Sequence, residues 1–468
     1  MFMRSYRPSF IGKYTLFLHL GGKVTTFFAY TQIHFCTYSC IFPPHPHKTA
    51  FFMRLTTIYT RKIYERYTKD TRRITLFLPF RWIYENLCVP LHIKGNKMAG
   101  LYIHIPFCKS RCIYCDFFST TQLSRRTEYV DALIQEWHSR SEEAQQTGKT
   151  ETIYLGGGTP SLLEIADLQN LFSALPVSQA GEITLECNPG DITPEKAAAW
   201  RRMGINRLSI GIQSFDDMLL CRIGRRHTAE QARTAVRTAQ AAGFDNISID
   251  LIYGLPTDNE PRTMDIEPLE IVKKDVEEAL LLDVQHISTY CLTFEEGTPL
   301  SRMLARGEVA ETDEDTENAM YDYIAHRLVK AGFEHYEVSN FARPGRRSRH
   351  NSNYWNNTPY IGLGAGAHSY NGTDRSWNPD DLPIYIEGIR NHTLVRETEH
   401  LSAKDRYNER LMLGLRTADG IACSDLHDPR LLTHYIEYRL LRLTPDNRVV
   451  ATLSGLHILN QIIEDLME

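Results

Sequence analysis

Residues 108–115 read Cys108-Lys109-Ser110-Arg111-Cys112-Ile113-Tyr114-Cys115, a C-x3-C-x2-C spacing on a polar loop. Three thiolates on one short loop can each ligate one iron of a cubane cluster. The fourth iron then lacks a nearby protein ligand, and an open position lets a metal centre bind a substrate or cofactor. Zinc is the competing reading, but zinc sites usually pair two C-x2-C units and the chain holds no second one. The flanking Lys109 and Arg111 are expected to lower the thiol pKa values. Cys187, Cys221, Cys291 and Cys423 are scattered singles, and Cys36 and Cys40 lack a third partner. This usage suits a metal site in a reducing cytoplasm better than a disulfide framework.

Around this loop the sequence alternates short apolar runs with helical patterns. Strands are predicted at 101–106, 152–155, 182–186, 207–212, 246–252 and 286–293, all rich in Ile, Leu, Val and Tyr. Helices are predicted at 126–144, 194–203, 228–242 and 271–282. Pro194 with Gly204, and Thr228 with Gly243, sit where helix starts and stops favour them. Six strand–helix units can form an open doubly wound sheet or a partial (β/α) barrel, and both place binding loops at the carboxyl ends of the strands. Beyond about Thr298 the pattern changes to a helix over 312–331, a strand-like 336–341, a loop with four arginines and a Gly/Ala-rich 360–370. Residues 402–468 read as mainly helical, with a short strand pair near 448–451. The expected division is 98–300 for the core, 301–400 for its extension and 401–468 for a small accessory domain.

Residues 1–97 differ in composition from the rest. They carry 15 Lys+Arg against 3 Asp+Glu, and 20 of the 49 aromatic residues. The whole chain's net charge of −5 argues against a general nucleic-acid binder, and the residues beyond 97 alone carry −17. The apolar stretches of 1–97 are too short to span a membrane. A transit peptide would share the basic charge but not the Ser-poor, non-amphipathic pattern. A membrane or nucleic-acid arm would explain the charge but not the scattered aromatics. The favoured reading is in-frame translation of upstream DNA, with the working start at Met98, so 1–97 take no part in the fold argument.

The cysteine spacing after a strand, with Tyr114 before the last Cys, resembles the radical S-adenosylmethionine superfamily. That resemblance implies a partial (β/α)6 barrel with a mainly helical C-terminal accessory domain. It also implies a [4Fe–4S] cluster on Cys108, Cys112 and Cys115, whose open iron binds S-adenosylmethionine and whose electron cleaves the sulfonium to a deoxyadenosyl radical. Further along lie Gly156-Gly157-Gly158-Thr159-Pro160 and Glu186 in Glu-Cys-Asn-Pro-Gly. Gln213 follows in Ser-Ile-Gly-Ile-Gln, then Arg225 in Gly-Arg-Arg-His and Asp250 in Ile-Asp-Leu-Ile. Glycines can bring backbone close to a ligand and offer free N–H groups, and a polar residue within an apolar strand must be paired or functional. In this order the motifs resemble the coproporphyrinogen dehydrogenase/haem chaperone family. The resemblance implies cofactor contacts at Tyr102, Tyr114, Gly157, Gly158, Thr159 and Glu186. It implies a second cofactor site at Gln213, Arg225 and Asp250.

Two features separate the branches of that family. The dehydrogenase branch, which decarboxylates coproporphyrinogen III without oxygen, has a further Cys where this chain has Phe117. The haem-chaperone branch carries His-Asn-x-x-Tyr-Trp, matched by His350-Asn351-Ser352-Asn353-Tyr354-Trp355. Imidazole is a common axial ligand of haem iron, and Tyr354 and Trp355 can cover a porphyrin face. His368 is a rival ligand. Arg343, Arg346, Arg347 and Arg349 lie just upstream and are candidates for pairing with haem propionates. The expected partners are haem, apo-haem proteins as acceptors and an electron donor for the cluster. The alternatives are a porphyrinogen decarboxylase and a haem reservoir with a vestigial cluster site.

Overall fold

The computed structural model describes residues 98–258 and 267–468; the reading of 1–97 lies outside the described residues. Six parallel strands form its centre: β1 (Met98–Ile105), β2 (Lys149–Gly157), β3 (Glu182–Cys187), β4 (Arg207–Gln213), β5 (Ile247–Tyr253) and β7 (His286–Cys291). The two-residue strands β6 (Thr257–Asp258) and β8 (Val309–Ala310) pair only with each other. The six lie in the sheet in the order in which the chain makes them. That monotonic order decides between the two architectures. Right-handed crossovers that always step the same way put every connecting helix on one face, which is barrel winding and not double winding.

The connecting helices are α1 (Arg126–Ser139), α2 (Ile165–Ala174), α3 (Pro194–Arg202), α4 (Ala229–Ala241) and α5 (Pro268–Leu281), followed after β7 by α6 (Glu314–Lys330). Each packs against its neighbour from α1 to α4, and α5 packs on α6. Thr193 caps α3 through its hydroxyl, and Thr228 forms a capping box with Gln231 on α4.

The sheet stays open. On one side β7 pairs with the hairpin of β9 (Glu334–Glu337) and β10 (Asn340–Ala342). On the other, β11 (Tyr360–Leu363) lies parallel to β1 and leads into the antiparallel strands β12 (His368–Tyr370), β13 (Asp374–Trp377) and β14 (Glu397–His400). Between β10 and β11 runs the short helix α7 (Arg349–Trp355). Helix α8 (Leu382–Arg390) packs on α1. The last stretch builds its own apolar core from α9 (Ala403–Leu415), α10 (Leu459–Leu466) and the sheet β15 (Ile421–Ala422), β17 (Arg448–Ala451), β16 (Leu441–Leu443).

The two faces of the central sheet differ sharply. Leu101, Ile103, Ile153, Leu155, Ile183, Leu185, Leu208, Ile210, Ile247, Ile249 and Ile287 face the helices and form the main core. Alternate positions point the other way, because side chains in a strand alternate between faces. Register joins Tyr102, Tyr154, Thr184 and Arg207 into one row across the concave face. A second row runs Glu186, Ser209, Ser248 and His286, and a third Gly211, Asp250 and Ser288. The lumen is therefore polar. Parallel strands buried under helices on both sides would be apolar on both faces; here only the helix-covered face is.

Candidate functional site

The cysteine loop is pinched at its base. Cys108 N–H donates to Thr120 O at 2.9 Å and Thr120 N–H to Pro106 O at 2.7 Å, so residues 108–119 close as a loop at the carboxyl end of β1. Lys109 Nζ pairs with Asp191 Oδ1 at 3.0 Å, and the buried Asp191 also accepts from Ser161 Oγ at 3.0 Å. Arg111 donates to Ser119 O. Ile113 and Tyr114 pack on Leu219, Ile223, Leu292 and Leu300. All three cysteines are free thiols and half-exposed.

Burial pushes the Cys108 thiol up, and the neighbouring Cys112 adds to the rise. Burial pushes Cys115 up to about 12, again with Cys112 and Cys108 adding. Arg111 lowers the Cys108 value as expected, but burial outweighs it, and no flanking cation acts on Cys115. Arg111 acts on Cys108 only weakly, and Lys109 is engaged with Asp191. Among the described residues no three His, Cys, Asp or Glu side chains converge as ligands of one ion. A cubane does not require that, since each thiolate takes its own iron. Three thiols that repel one another as thiolates, on one closed loop, fit a cationic iron cluster.

Beside the loop, β2 ends in the glycines. Gly157 has φ +111°, and a Cβ there would lie 2.6–2.9 Å from the His104 ring. A Cβ on Gly158 would lie 2.8–2.9 Å from the backbone of Pro106 and Phe107. The expectation of free N–H groups is corrected here. Gly157 N–H donates to Glu186 Oε2 at 3.1 Å and Gly158 N–H to Ile105 O at 2.9 Å. These two glycines bring β2 against the root of the cysteine loop. Thr159 Oγ1 lies 3.6 Å from Cys108 Sγ.

Glu186 accepts from Tyr154 Oη at 2.8 Å as well as from Gly157. Burial pushes its carboxyl up to about 7, Tyr154 opposes the rise and Asp250 adds to it. Tyr102, one strand away, bonds His104 Nδ1 through its hydroxyl at 3.0 Å. Thr184 Oγ1, Arg207 Nε and Arg225 Nε are buried without a protein partner. Buried polar atoms are nearly always paired, so this lumen fits a polar ligand that completes them. A carboxylate at Glu186 suits ribose hydroxyls as donors.

Gln213, Arg225 and Asp250 are brought together. The ladder of β4 and β5 shifts register between Gly211 and Gln213, and Gln213 has φ +74°. A Cβ on Gly211 would lie 2.8 Å from Gln213 Nε2 and 3.3 Å from Arg225 Nη2. Arg225 donates to Gly211 O and, at 3.6 Å, to Cys112 Sγ. Asp250, across from Gly211 in register, accepts from Ser209 Oγ at 3.3 Å. Burial raises its pKa, against Ser288 and Arg207.

The His-Asn-x-x-Tyr-Trp segment is helix α7, laid across the lumen near the amino ends of β1, β2 and β3. Glu182 accepts from Arg349 N–H at 3.1 Å and from His350 N–H at 3.0 Å. His350 is 1% exposed. Its Nδ1 meets Thr152 Oγ1 at 2.8 Å and its Nε2 meets Tyr354 Oη at 2.9 Å. Burial, then Arg207, pulls its pKa down to about 3, so the ring is neutral. In this arrangement both ring nitrogens are engaged. Tyr354 stands edge-on to Tyr360 at 4.8 Å, and Trp355 is half-buried. His368 stacks on Trp377 at 5.5 Å in the β12–β13 meander, outside α7. The four arginines expected near propionates are tied within the protein. Arg343 bonds Ala331 O, and Arg346 pairs with Asp245 at 3.4 Å. Arg347 pairs with Glu334 at 3.0 Å and Arg349 with Glu151 at 2.6 Å.

Sequence reasoning missed Tyr154. It bonds Glu186 and stacks on the His350 ring at 5.0 Å and 26°. The signal was the alternation Thr152-x-Tyr154-x-Gly156, which puts all three on the lumen face. Arg207 was missed for the same reason.

Residues 102–266 match the model of the radical SAM superfamily. The haem chaperone HemW of Lactococcus lactis is 39% identical over 331 residues, covering 70% of this chain and 83% of the relative. The chain belongs to the HemW family. HemW of Bacillus subtilis is 36% identical over 332 residues, covering 69% of this chain and 85% of the relative. Escherichia coli HemN, a coproporphyrinogen III oxidase and radical SAM enzyme, superposes with a TM-score of 0.66 at 21% identity, covering 80% of this chain and 90% of that one. That likeness is one of fold. HemW membership agrees with both branch markers, Phe117 and His350–Trp355. Among the described residues no helix is long and apolar enough to cross a membrane.

Proposed function

We propose that the chain is a cytoplasmic haem chaperone that passes haem to apoproteins. Cys108, Cys112 and Cys115 would hold a [4Fe–4S] cluster, which supplies one-electron chemistry and a site for S-adenosylmethionine. Tyr102, Tyr114, Gly157, Gly158, Thr159 and Glu186 would border that cofactor, and Gln213, Arg225 and Asp250 a second one. His350, Tyr354 and Trp355 would serve haem, with His368 as the other candidate ligand. An electron donor would serve the cluster.

One observation carries this reading: the haem motif and the candidate cofactor carboxylate share a single side chain. Tyr154 bonds Glu186 through its hydroxyl and stacks on His350 through its ring. His350 is 1% exposed with its nitrogens on Thr152 and Tyr354, so reaching iron would require one of those bonds to break and the ring to be uncovered, as a lift of α7 from the lumen would do. Occupancy at Glu186 bears on Tyr154 and hence on that step.

The test is anaerobic reconstitution of the protein with iron and sulfide, then haem titration of wild type and His350→Ala by optical spectroscopy. The reading predicts a cluster band in both proteins and a Soret shift that is lost or weakened at least tenfold in the variant. A cluster band with turnover of coproporphyrinogen and no Soret shift in either protein would overturn it.

A further inference from the structure

The family resemblance gives Arg225 to a second cofactor site. Its surroundings give it a different neighbour. Helix residues Asp217–Arg222 end in a turn at Gly224, which has φ +77°. A Cβ at Gly224 would lie 3.8 Å from Cys112 Cα and 3.9 Å from Arg111 O, so this turn sits directly on the cysteine loop. Ile113 N–H donates to Ile223 O at 3.4 Å and ties the two loops together. The turn carries Arg225 inward. One guanidinium nitrogen reaches Cys112 Sγ at 3.6 Å, within range for an N–H···S bond. The other is anchored on Gly211 O, and Nε is buried without a partner. Among the described residues no carboxylate pairs directly with this cation; Asp250 acts on it only through its field.

We propose that Arg225 tunes the cluster held by Cys112, as a buried cation that hydrogen-bonds one of its thiolate ligands and favours the reduced form. This rests on the cluster reading above. Reduction adds one electron, taken from a low-potential donor, and so one negative charge to the iron–sulfur–thiolate unit. A fixed positive charge and an N–H donor at a ligand sulfur stabilise that extra charge, and both are established determinants of cluster potential. Lys109 pairs with Asp191, and Arg111 bonds Ser119 O and acts on Cys108 through its field, so Arg225 is the cation hydrogen-bonded to Cys112. Arg225 acts through Cys112 and is a positioning and tuning residue, not a catalytic one.

The test is a dithionite titration of the reconstituted full chain without S-adenosylmethionine, read by electron paramagnetic resonance. Wild type, Arg225→Gln and Arg225→Lys are compared. Omitting the cofactor removes any effect of Arg225 on its binding. The expected result is a tenfold shift of the reduction equilibrium toward the oxidised cluster in Arg225→Gln, about 59 mV for one electron. Arg225→Lys, which keeps the charge, should recover part of it. Should Arg225→Gln fail to hold a cluster, resonance Raman of wild type decides: iron–sulfur(Cys) stretches should shift on H/D exchange, and that shift should change in Arg225→Lys. Equal potentials in all three proteins, or in the Raman experiment no change between wild type and Arg225→Lys, would overturn the proposal while leaving the cluster reading intact. A wild-type protein that takes up no cluster would overturn both.

Discussion

At the level of single residues, the proposed role of Glu186 in binding S-adenosylmethionine has a pH signature. Burial holds the Glu186 carboxyl near 7, with Tyr154 opposing and Asp250 adding. A ribose hydroxyl bonds more strongly to the ionised carboxylate than to the protonated acid. Binding therefore pulls the Glu186 pKa down, and affinity for S-adenosylmethionine should rise with pH through about 7 and level off above it. Glu186→Gln should weaken binding and flatten that profile, as isothermal titration across pH 6–8 would show. The same shift has a stability consequence of definite sign. The folded carboxyl keeps a proton that the unfolded chain, with its ordinary value of 4.5, has already lost. Its contribution is present below 4.5 and is lost as pH rises to about 7. The cysteines and Glu186 were legible as motif residues. The engagement of His350 Nδ1 was not, because its partner Thr152 lies on a strand 198 residues away, whereas the Nε2 partner Tyr354 is one helical turn on.

Among the elements, α7 is the one whose placement matters most. It is seven residues long and draws little stability from its own hydrogen bonds. What fixes its start is the Ser348 cap, with Asn351 N–H donating at 3.3 Å, and the Glu182 carboxylate taking two further N–H groups. Glu182→Ala leaves the buried His350 N–H unpaired, at a cost of about 1–3 kcal/mol, and the part-buried Arg349 N–H open to water. Amide exchange over residues 349–355 should quicken in that variant by at least tenfold, while exchange in β1 and β4 stays unchanged. Haem uptake should quicken with it. The sequence announced the six strands through their apolar runs, yet it did not announce that only half of each strand is apolar. The runs are rich in Ile, Leu, Val and Tyr, whereas Tyr102, Tyr154, Arg207 and Asp250 among them stand in rows on the lumen face. The flanking strands β9 to β14 were partly hidden because each is only three or four residues long.

For the whole molecule, barrel winding gathers the cysteine loop and its neighbours at one end and sets α7, the proposed haem segment, across the same lumen. The C-terminal core stands apart in composition: Leu411, Leu415, Ile421, Ile462 and Ile463 pack among themselves and not into the main core. Leu411→Ala, at a fully buried position, should cost about 2–5 kcal/mol by denaturant unfolding. The chain-order sheet was foreseen as one of two windings, and only strand order could choose between them. The central claim is that cofactor and haem sites are coupled through Tyr154. It is tested by the rate of haem release from cluster-loaded protein to apomyoglobin, with and without S-adenosylmethionine, in wild type and Tyr154→Phe. Two ligands coupled through one element change each other's affinity. The account predicts a release rate that changes at least fivefold with S-adenosylmethionine in wild type and much less in Tyr154→Phe. A rate indifferent to S-adenosylmethionine in wild type, with both ligands shown to be bound, would contradict it.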